Sequence, residues 1–212
     1  MKMITIAISK GRMQDEALAL LARAGVRFND YSSASRCLIS ADETGDYRAI
    51  FVKPADVPVY VEHGIADCGI VGRDVLLESE ADVLLPLDLG IARCRLVVAG
   101  ISPDEIKSKG MLRVATKYPL LTANYFGARG TPVEIIRLSG SVELAPSLGL
   151  CDVIVDLVET GRTLQENGLS VIDVITESTG RFVVNRASYQ LKAESIGRLL
   201  NALEQALSGV AA

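Results

Sequence analysis

Residues 153–168 read Val-Ile-Val-Asp-Leu-Val-Glu-Thr-Gly-Arg-Thr-Leu-Gln-Glu-Asn-Gly. The β-branched run Val153, Ile154 and Val155 predicts a strand buried on both faces and leaving at Asp156. A short helix is expected over Thr163–Asn167, closed by Gly168. A turn from strand to helix exposes backbone N–H groups that attract anions. Gly161 lets the backbone approach phosphate oxygens, Thr160 and Thr163 add hydroxyl donors, Arg162 adds a permanent charge, and Leu164 continues the helix start. Asp156 and Glu159 would repel a phosphate, so they suit ribose hydroxyls or a bound Mg²⁺ instead. Together these residues describe a holder for a phosphorylated sugar. An ordinary strand-to-helix turn with a threonine cap uses the same residue types, and the loop by itself leaves that reading open. The chain contains neither the G-x-x-x-x-G-K-[ST] phosphate loop nor the G-x-G-x-x-G dinucleotide pattern.

The elements that position this loop follow from hydrophobic patterning. Strand-like runs occur at 3–8, 49–52, 68–71, 83–87, 96–99, 112–116, 133–138, 153–158 and 171–175. Helical patterns occupy 13–24, 55–63, 74–78, 120–129, 142–148 and 163–167, and one long amphipathic helix is predicted over 189–207. Strands alternating with helices predict an α/β fold with mainly parallel sheets. The rhythm breaks where strands follow one another around Gly90 and again around Thr179–Gly180. Ser102-Pro103-Asp104-Glu105 carries the residues of a helix start. Two crossings, near residues 90 and 180, would fit two α/β domains joined by a double linker.

Composition narrows the function classes. The chain has 212 residues, 49% of them apolar and 23% charged, with a net charge of −4. That balance suits a folded protein and argues against a nucleic-acid partner, which needs a concentrated basic face. A local basic patch for a small anion stays possible. The apolar N-terminal stretch is too short for a signal peptide and is interrupted by Ser9-Lys10. No run approaches a membrane span. The four cysteines are dispersed, which fits a reducing cytoplasm. With a single histidine, His63, and no C-x-x-C pair, a zinc site is not expected. His63 precedes Gly64 and reads as a helix C-cap.

A wider window adds a resemblance. Glu143, Gly149, Ile154, Asp156, Leu157, Thr160, Gly161, Thr163 and Leu164 match, in identity and spacing, the signature of the ATP phosphoribosyltransferases. Cys151 is a small departure at a position where that signature takes Ser, Ala or Gly. Ser9-Lys10-Gly11-Arg12, the stretch from Asp67 to Asp74, Cys94-Arg95-Leu96, Ala115-Thr116-Lys117-Tyr118 and Ser139-Gly140-Ser141-Val142-Glu143 also resemble blocks of that family, in family order. The likeness spans essentially the whole chain.

The resemblance implies a two-domain periplasmic-binding-protein-like (type II) fold with a cleft between the domains. One domain would hold residues 1–90 plus 179–212, the other 91–178 with the phosphoribosyl loop. It implies a Mg²⁺-dependent condensation of ATP with phosphoribosyl pyrophosphate, the first step of histidine biosynthesis. It further implies the short form of the enzyme, working with a regulatory subunit that resembles histidyl-tRNA synthetase in a hetero-octamer. Phosphoribosyl pyrophosphate would be bound by Ser139, Gly140, Ser141, Glu143, Asp156, Glu159, Thr160, Gly161, Arg162, Thr163 and Leu164. ATP would meet Lys10, Gly11, Arg12, Lys53, Arg73, Asp74 and Arg95. Asp74 could equally cap the helix that follows it. Arg36, after the polar run Ser32–Ser35, would neutralise the departing pyrophosphate. The alternative is an anion-binding receptor-like protein of the same fold that does no chemistry.

Overall fold

The computed structural model describes residues 3–28, 37–102 and 110–209. The expected helix start at 102–105 falls largely outside them, as do Arg36 and the serines before it. The chain divides into two compact units, Met1–Ala92 with Thr179–Ala212, and Arg93–Ser178.

The first unit contains β1 (Ile4–Ser9), α1 (Gln14–Arg23), β2 (Ile39–Ala41), β3 (Tyr47–Val52), α2 (Val57–Glu62), β4 (Cys68–Gly72), α3 (Arg73–Ser79) and β5 (Leu84–Asp88). The second contains β6 (Cys94–Gly100), β7 (Leu112–Thr116), α4 (Pro119–Gly127), β8 (Val133–Arg137), β9 (Val153–Val158), α5 (Arg162–Glu166) and β10 (Ser170–Ser178). The chain then returns to the first unit with β11 (Gly180–Val184), α6 (Arg186–Leu191) and α7 (Ala193–Leu207).

The first sheet has the order β2-β3-β1-β4-β11-β5. Every residue of β1 is buried, because the strand lies between two neighbours and is covered on both faces. Ile4, Ile6 and Ile8 face a core shared with Leu20, Leu21, Ile196, Leu199 and Leu203 of α1 and α7. Ala7 faces the other side, with Val57, Val61 and Leu76 of α2 and α3. Pro86 sits in β5 at the sheet edge, the place where a missing N–H is tolerated.

Asp67, immediately before β4, ties this unit together. Its carboxylate accepts hydrogen bonds from the Thr5 N–H at 2.8 Å, the Ser188 hydroxyl at 2.7 Å and the Lys192 ammonium at 2.7 Å. Asn185 caps two helices at once. Its Oδ1 accepts from the Ser188 N–H at the start of α6, and its Nδ2 donates to the Val61 and Glu62 carbonyls at the end of α2. His63 is the C-cap residue of α2, with Nδ1 3.1 Å from the Val59 carbonyl.

The second sheet has the order β10-β6-β9-β7-β8. Helix α4 covers one face through Phe126, against Leu96, Val98, Val114 and Val155. The other face carries Val97, Ala99, Ala115, Ile154 and Val158 and is covered by Val142, Ala145, Leu164 and Leu169.

The expectation of mainly parallel sheets is overturned. The sheets are mixed: β1 with β3 and β4, and β7 with β8 and β9, are parallel, whereas β2–β3, β4–β11, β5–β11, β6–β9 and β6–β10 are antiparallel. Four of these five antiparallel pairings involve β6 or β11, the strands that follow the two crossings. Each enters its sheet directly from a strand of the other unit, with no helix to turn the chain back in parallel.

Other elements are shorter than the patterns predicted. The helical reading of 142–148 reduces to one 3-10 turn, Val142–Leu144. The long terminal helix is two helices, broken at Lys192, whose φ of −125° and ψ of 30° are not helical. Strand β9 spans Val153–Val158, the bounds of the apolar run, so the chain leaves the sheet after Val158 rather than at Asp156. Among the described residues, no helix is long and apolar enough to cross a membrane.

Candidate active site

In each unit, three parallel strands release their following loops at one sheet edge, the position where α/β proteins bind ligands. In the second unit these strands are β8, β7 and β9. The loop after β8 holds Ser139, Gly140 and Ser141, all exposed, and leads into the turn bearing half-buried Glu143. Ser141 adopts φ 47° and ψ 44°. For a residue other than glycine, that conformation costs on the order of 1–3 kcal/mol and is found disproportionately at functional sites.

The loop after β9 holds Glu159, Thr160 and Gly161. Gly161 is the N-cap of α5 with φ 83°. A Cβ there would meet only Val158 Cγ1, at an ordinary 3.7 Å, so conformation rather than local space selects glycine. Helix α5 has five residues and contributes little dipole field, which leaves anion attraction to N–H groups and side chains. Arg162 donates from Nε to Glu166 at 2.8 Å in an exposed pair along the helix. Thr163 is exposed, whereas Leu164 is buried in the core, so only its backbone could serve a ligand.

Packing brings the two loops together. Val142 and Leu164 belong to one buried cluster with Ile154 and Val158. Asp156, between those last two in β9, alternates onto the same face. Its Oδ1 accepts the Leu157 N–H at 2.9 Å. Ser139–Glu143, Asp156 and Glu159–Leu164 therefore border one face of one sheet end.

Arg95 belongs to this neighbourhood too. It lies in β6 opposite Val158, on the same face. It is exposed, and its side chain makes no hydrogen bond or ion pair with the described residues. Arg95, expected among the ATP residues, lies in the second unit, beside the loop after β9.

Thr116, a residue of the Ala115-Thr116-Lys117-Tyr118 block, ends the middle strand. It is fully buried. Its carbonyl accepts the Leu138 N–H at 3.0 Å, and its hydroxyl donates to the Val155 carbonyl at 2.7 Å while accepting the Tyr118 N–H at 2.8 Å. A threonine closing a strand directly after the apolar pair Val114-Ala115 and just before Lys117-Tyr118-Pro119 was the available signal.

The first unit repeats the arrangement at the ends of β3, β1 and β4. Lys53 follows β3, Lys10, Gly11 and Arg12 follow β1, and Arg73 and Asp74 follow β4. The Lys10 N–H donates to the Val52 carbonyl at 2.8 Å, and Gly11 has φ 95°. Arg12 donates to the Ala92 carbonyl at 3.0 Å. Asp74 is buried and lies inside α3, whose N-cap is Gly72, so the capping alternative for Asp74 does not hold. A Cβ on Gly72 would come within 2.2 Å of the Asp74 carboxylate, so the close approach of that side chain requires glycine.

No group of three or more His, Cys, Asp or Glu side chains that could hold a metal occurs among the described residues.

A family model described as HisG: ATP phosphoribosyltransferase matches residues 53–205. The chain belongs to the ATP phosphoribosyltransferase family. It is 47% identical over 208 residues to the ATP phosphoribosyltransferase of Sorangium cellulosum, with 98% of each chain covered. It superposes on the ATP phosphoribosyl transferase (HisG:HisZ) complex from Thermotoga maritima with a TM-score of 0.86 and 40% identity, covering 98% of this chain and all of that one. The periplasmic aliphatic sulphonate binding protein SsuA of Escherichia coli shares the fold alone, with a TM-score of 0.60 at 14% identity over 98% of this chain and 73% of the other. The architecture is thus the two-domain periplasmic-binding-protein-like fold, built on mixed sheets.

Proposed function

We propose that the sheet edge bearing Ser139–Glu143, Asp156 and Glu159–Leu164 holds phosphoribosyl pyrophosphate, and that the edge bearing Lys10, Gly11, Arg12, Lys53, Arg73 and Asp74 holds ATP. As a member of its family, the chain catalyses the condensation of ATP with phosphoribosyl pyrophosphate, the first step of histidine biosynthesis. An adenine ring nitrogen attacks the anomeric carbon of the ribose, and pyrophosphate leaves. No covalent enzyme intermediate is needed, so the protein acts by orienting the reactants and stabilising charge. The observation that carries the site assignment is the shared packing of Val142 and Leu164 beside Asp156.

In this reading the 5-phosphate sits against the N–H groups and hydroxyls of Thr160, Gly161 and Thr163. Asp156, with Glu159 or Glu143, takes the ribose hydroxyls. Arg95 supplies the cation that Arg162, paired with Glu166, does not. The family resemblance gives Arg36 the leaving pyrophosphate. Mg²⁺ fits as an ion carried on substrate phosphates and met by a single carboxylate such as Asp156 or Glu159, the usual mode for this metal; bound there, it would supply charge neutralisation on the pyrophosphate.

The Thermotoga maritima structure is of a HisG:HisZ complex, and we assign this chain a regulatory partner of the same kind, resembling histidyl-tRNA synthetase, in a hetero-octamer. Its four free cysteines suit the reducing cytoplasm. Pyrophosphate release should be measured with ATP, phosphoribosyl pyrophosphate and Mg²⁺, with and without that partner. Release that needs both substrates is the expected result. Silence in both cases, with tight binding of a simple anion, would return the chain to the receptor class.

A further inference from the structure

Strand β7 lies between β8 and β9 and ends on Thr116. From that position Thr116 bonds to both neighbours, through its carbonyl to Leu138 and through its hydroxyl to Val155, while the same hydroxyl receives the Tyr118 N–H. Leu138 directly precedes Ser139-Gly140-Ser141, and Val155 directly precedes Asp156. The carbonyl and hydroxyl of one buried residue thus hold the root of the loop after β8, the β9 residue next to Asp156, and the turn between them. The sheet does not need a hydroxyl here: Leu112, Val114 and Ala115 fill the same strand with apolar groups. A buried hydroxyl costs free energy unless it is bonded, and this one is bonded twice.

We propose that Thr116 is a positioning residue that sets the spacing between the Ser139–Glu143 and Glu159–Leu164 loops, so that both can engage one phosphoribosyl pyrophosphate. This inference rests on the assignment of that substrate to the second unit. Removing the hydroxyl frees the β7–α4 turn and unties it from β9, and the two loops then no longer match a single ligand.

The test uses the full chain with its regulatory partner and compares Thr116→Val, which keeps shape and removes the hydroxyl, with Thr116→Ser, which keeps the hydroxyl. The valine variant should raise KM for phosphoribosyl pyrophosphate by roughly five- to tenfold, the scale of a lost hydrogen bond, and leave KM for ATP unchanged. The serine variant should restore the wild-type value. If the valine variant does not fold, Thr116→Ala is read in the same way. An unchanged KM for phosphoribosyl pyrophosphate would overturn the proposal, as would a parallel rise in both KM values that serine does not rescue. Gly161→Asn, assayed alongside, separates the two levels. If Gly161→Asn weakens phosphoribosyl pyrophosphate and Thr116→Val does not, the positioning role alone fails. If neither weakens it, the loop assignment itself fails.

Discussion

Arg95 stands directly opposite Val158 in the antiparallel ladder between β6 and β9, one residue before the loop that begins at Glu159. On the far side of β6 its ladder partner is Glu177, which pairs with Arg93 instead. An exposed guanidinium can form a charge-assisted hydrogen bond to an anion held at that loop, worth about 1.5–3 kcal/mol. Arg95→Ala is therefore expected to raise KM for phosphoribosyl pyrophosphate about tenfold or more and to leave the unfolding midpoint unchanged. Arg95→Lys should recover only part of the loss, because an ammonium lacks the planar fork. A variant in which only KM for ATP moves would return Arg95 to the nucleotide.

Gly161 carries a positive φ of 83° at the N-cap of α5, which makes the choice of substitution informative. Asparagine tolerates this conformation, whereas a β-branched residue is strained in it. Both add a side chain at the loop. Titration calorimetry should show weakened phosphoribosyl pyrophosphate binding in Gly161→Asn and in Gly161→Val, with a lowered unfolding midpoint only in the valine variant. Wild-type affinity in a folded Gly161→Asn would mean that the loop does not approach the ligand.

Asp67 supports the first unit from beneath β1 and β4. Its carboxylate is almost wholly buried, with Lys192 and Ser188 as side-chain partners. Replacing it with alanine leaves the Thr5 N–H without this acceptor and the Lys192 ammonium with the Met3 carbonyl alone, and should cost about 3 kcal/mol. Lys192→Met should cost less, because Asp67 keeps its bonds from Thr5 and Ser188 and the lysine is itself partly exposed. Chemical denaturation of both variants checks the order; equal losses would show that the ion pair dominates the network.

Tyr125 supplies a pH dependence. Burial, followed by its hydrogen bond to the Asp173 carboxylate, pushes its hydroxyl up to about 12, from a usual 10.0. The folded chain then holds this proton between pH 10.0 and about 12 while the unfolded chain releases it, so stability falls as pH rises through that window. The same hydrogen bond holds the Asp173 carboxyl below its usual value, so its contribution is present at neutral pH and is lost in acid. Ultraviolet titration should show one of the six tyrosines ionising last. Tyr125→Phe should remove that step and flatten the alkaline loss of stability. A late step that persists in the variant would assign it to another tyrosine.

Much of the strand framework is legible in the sequence. The run Leu112–Thr116 reads as a strand with the bounds the structure gives, because Leu112, Val114 and Ala115 form a short apolar run and Lys117 and Pro119 close it. Strand direction was not legible. Hydrophobic pattern does not encode polarity, and the antiparallel entry of β6 and β11 follows from the crossings rather than from their residues. Lys192 interrupts the terminal helix although Tyr189–Leu207 keeps a helical period on both sides, since period alone carries no sign of a local φ of −125°. At the candidate site, the sequence shows that Ser139–Ser141 and Glu159–Gly161 each follow a strand. It does not show that Val142 and Leu164 pack into one cluster, nor that Arg95 joins them through a ladder, because both depend on long-range pairing.

Strand β11 lies between β4 and β5, in the interior of the first sheet. During synthesis on the ribosome, then, the leading residues of the chain can form β1, β3 and β4 but leave an open edge where β11 belongs. The contiguous second unit has every strand of its sheet available as soon as β10 emerges, and low sequence separation favours its early formation. The first unit must wait until the whole second unit has been made before its sheet closes, Asn185 reaches the end of α2, and Lys192 reaches Asp67. Chains truncated before β11 would expose that unsatisfied edge and the apolar faces beside it, which makes incomplete products targets for aggregation or proteolysis rather than partly working enzymes.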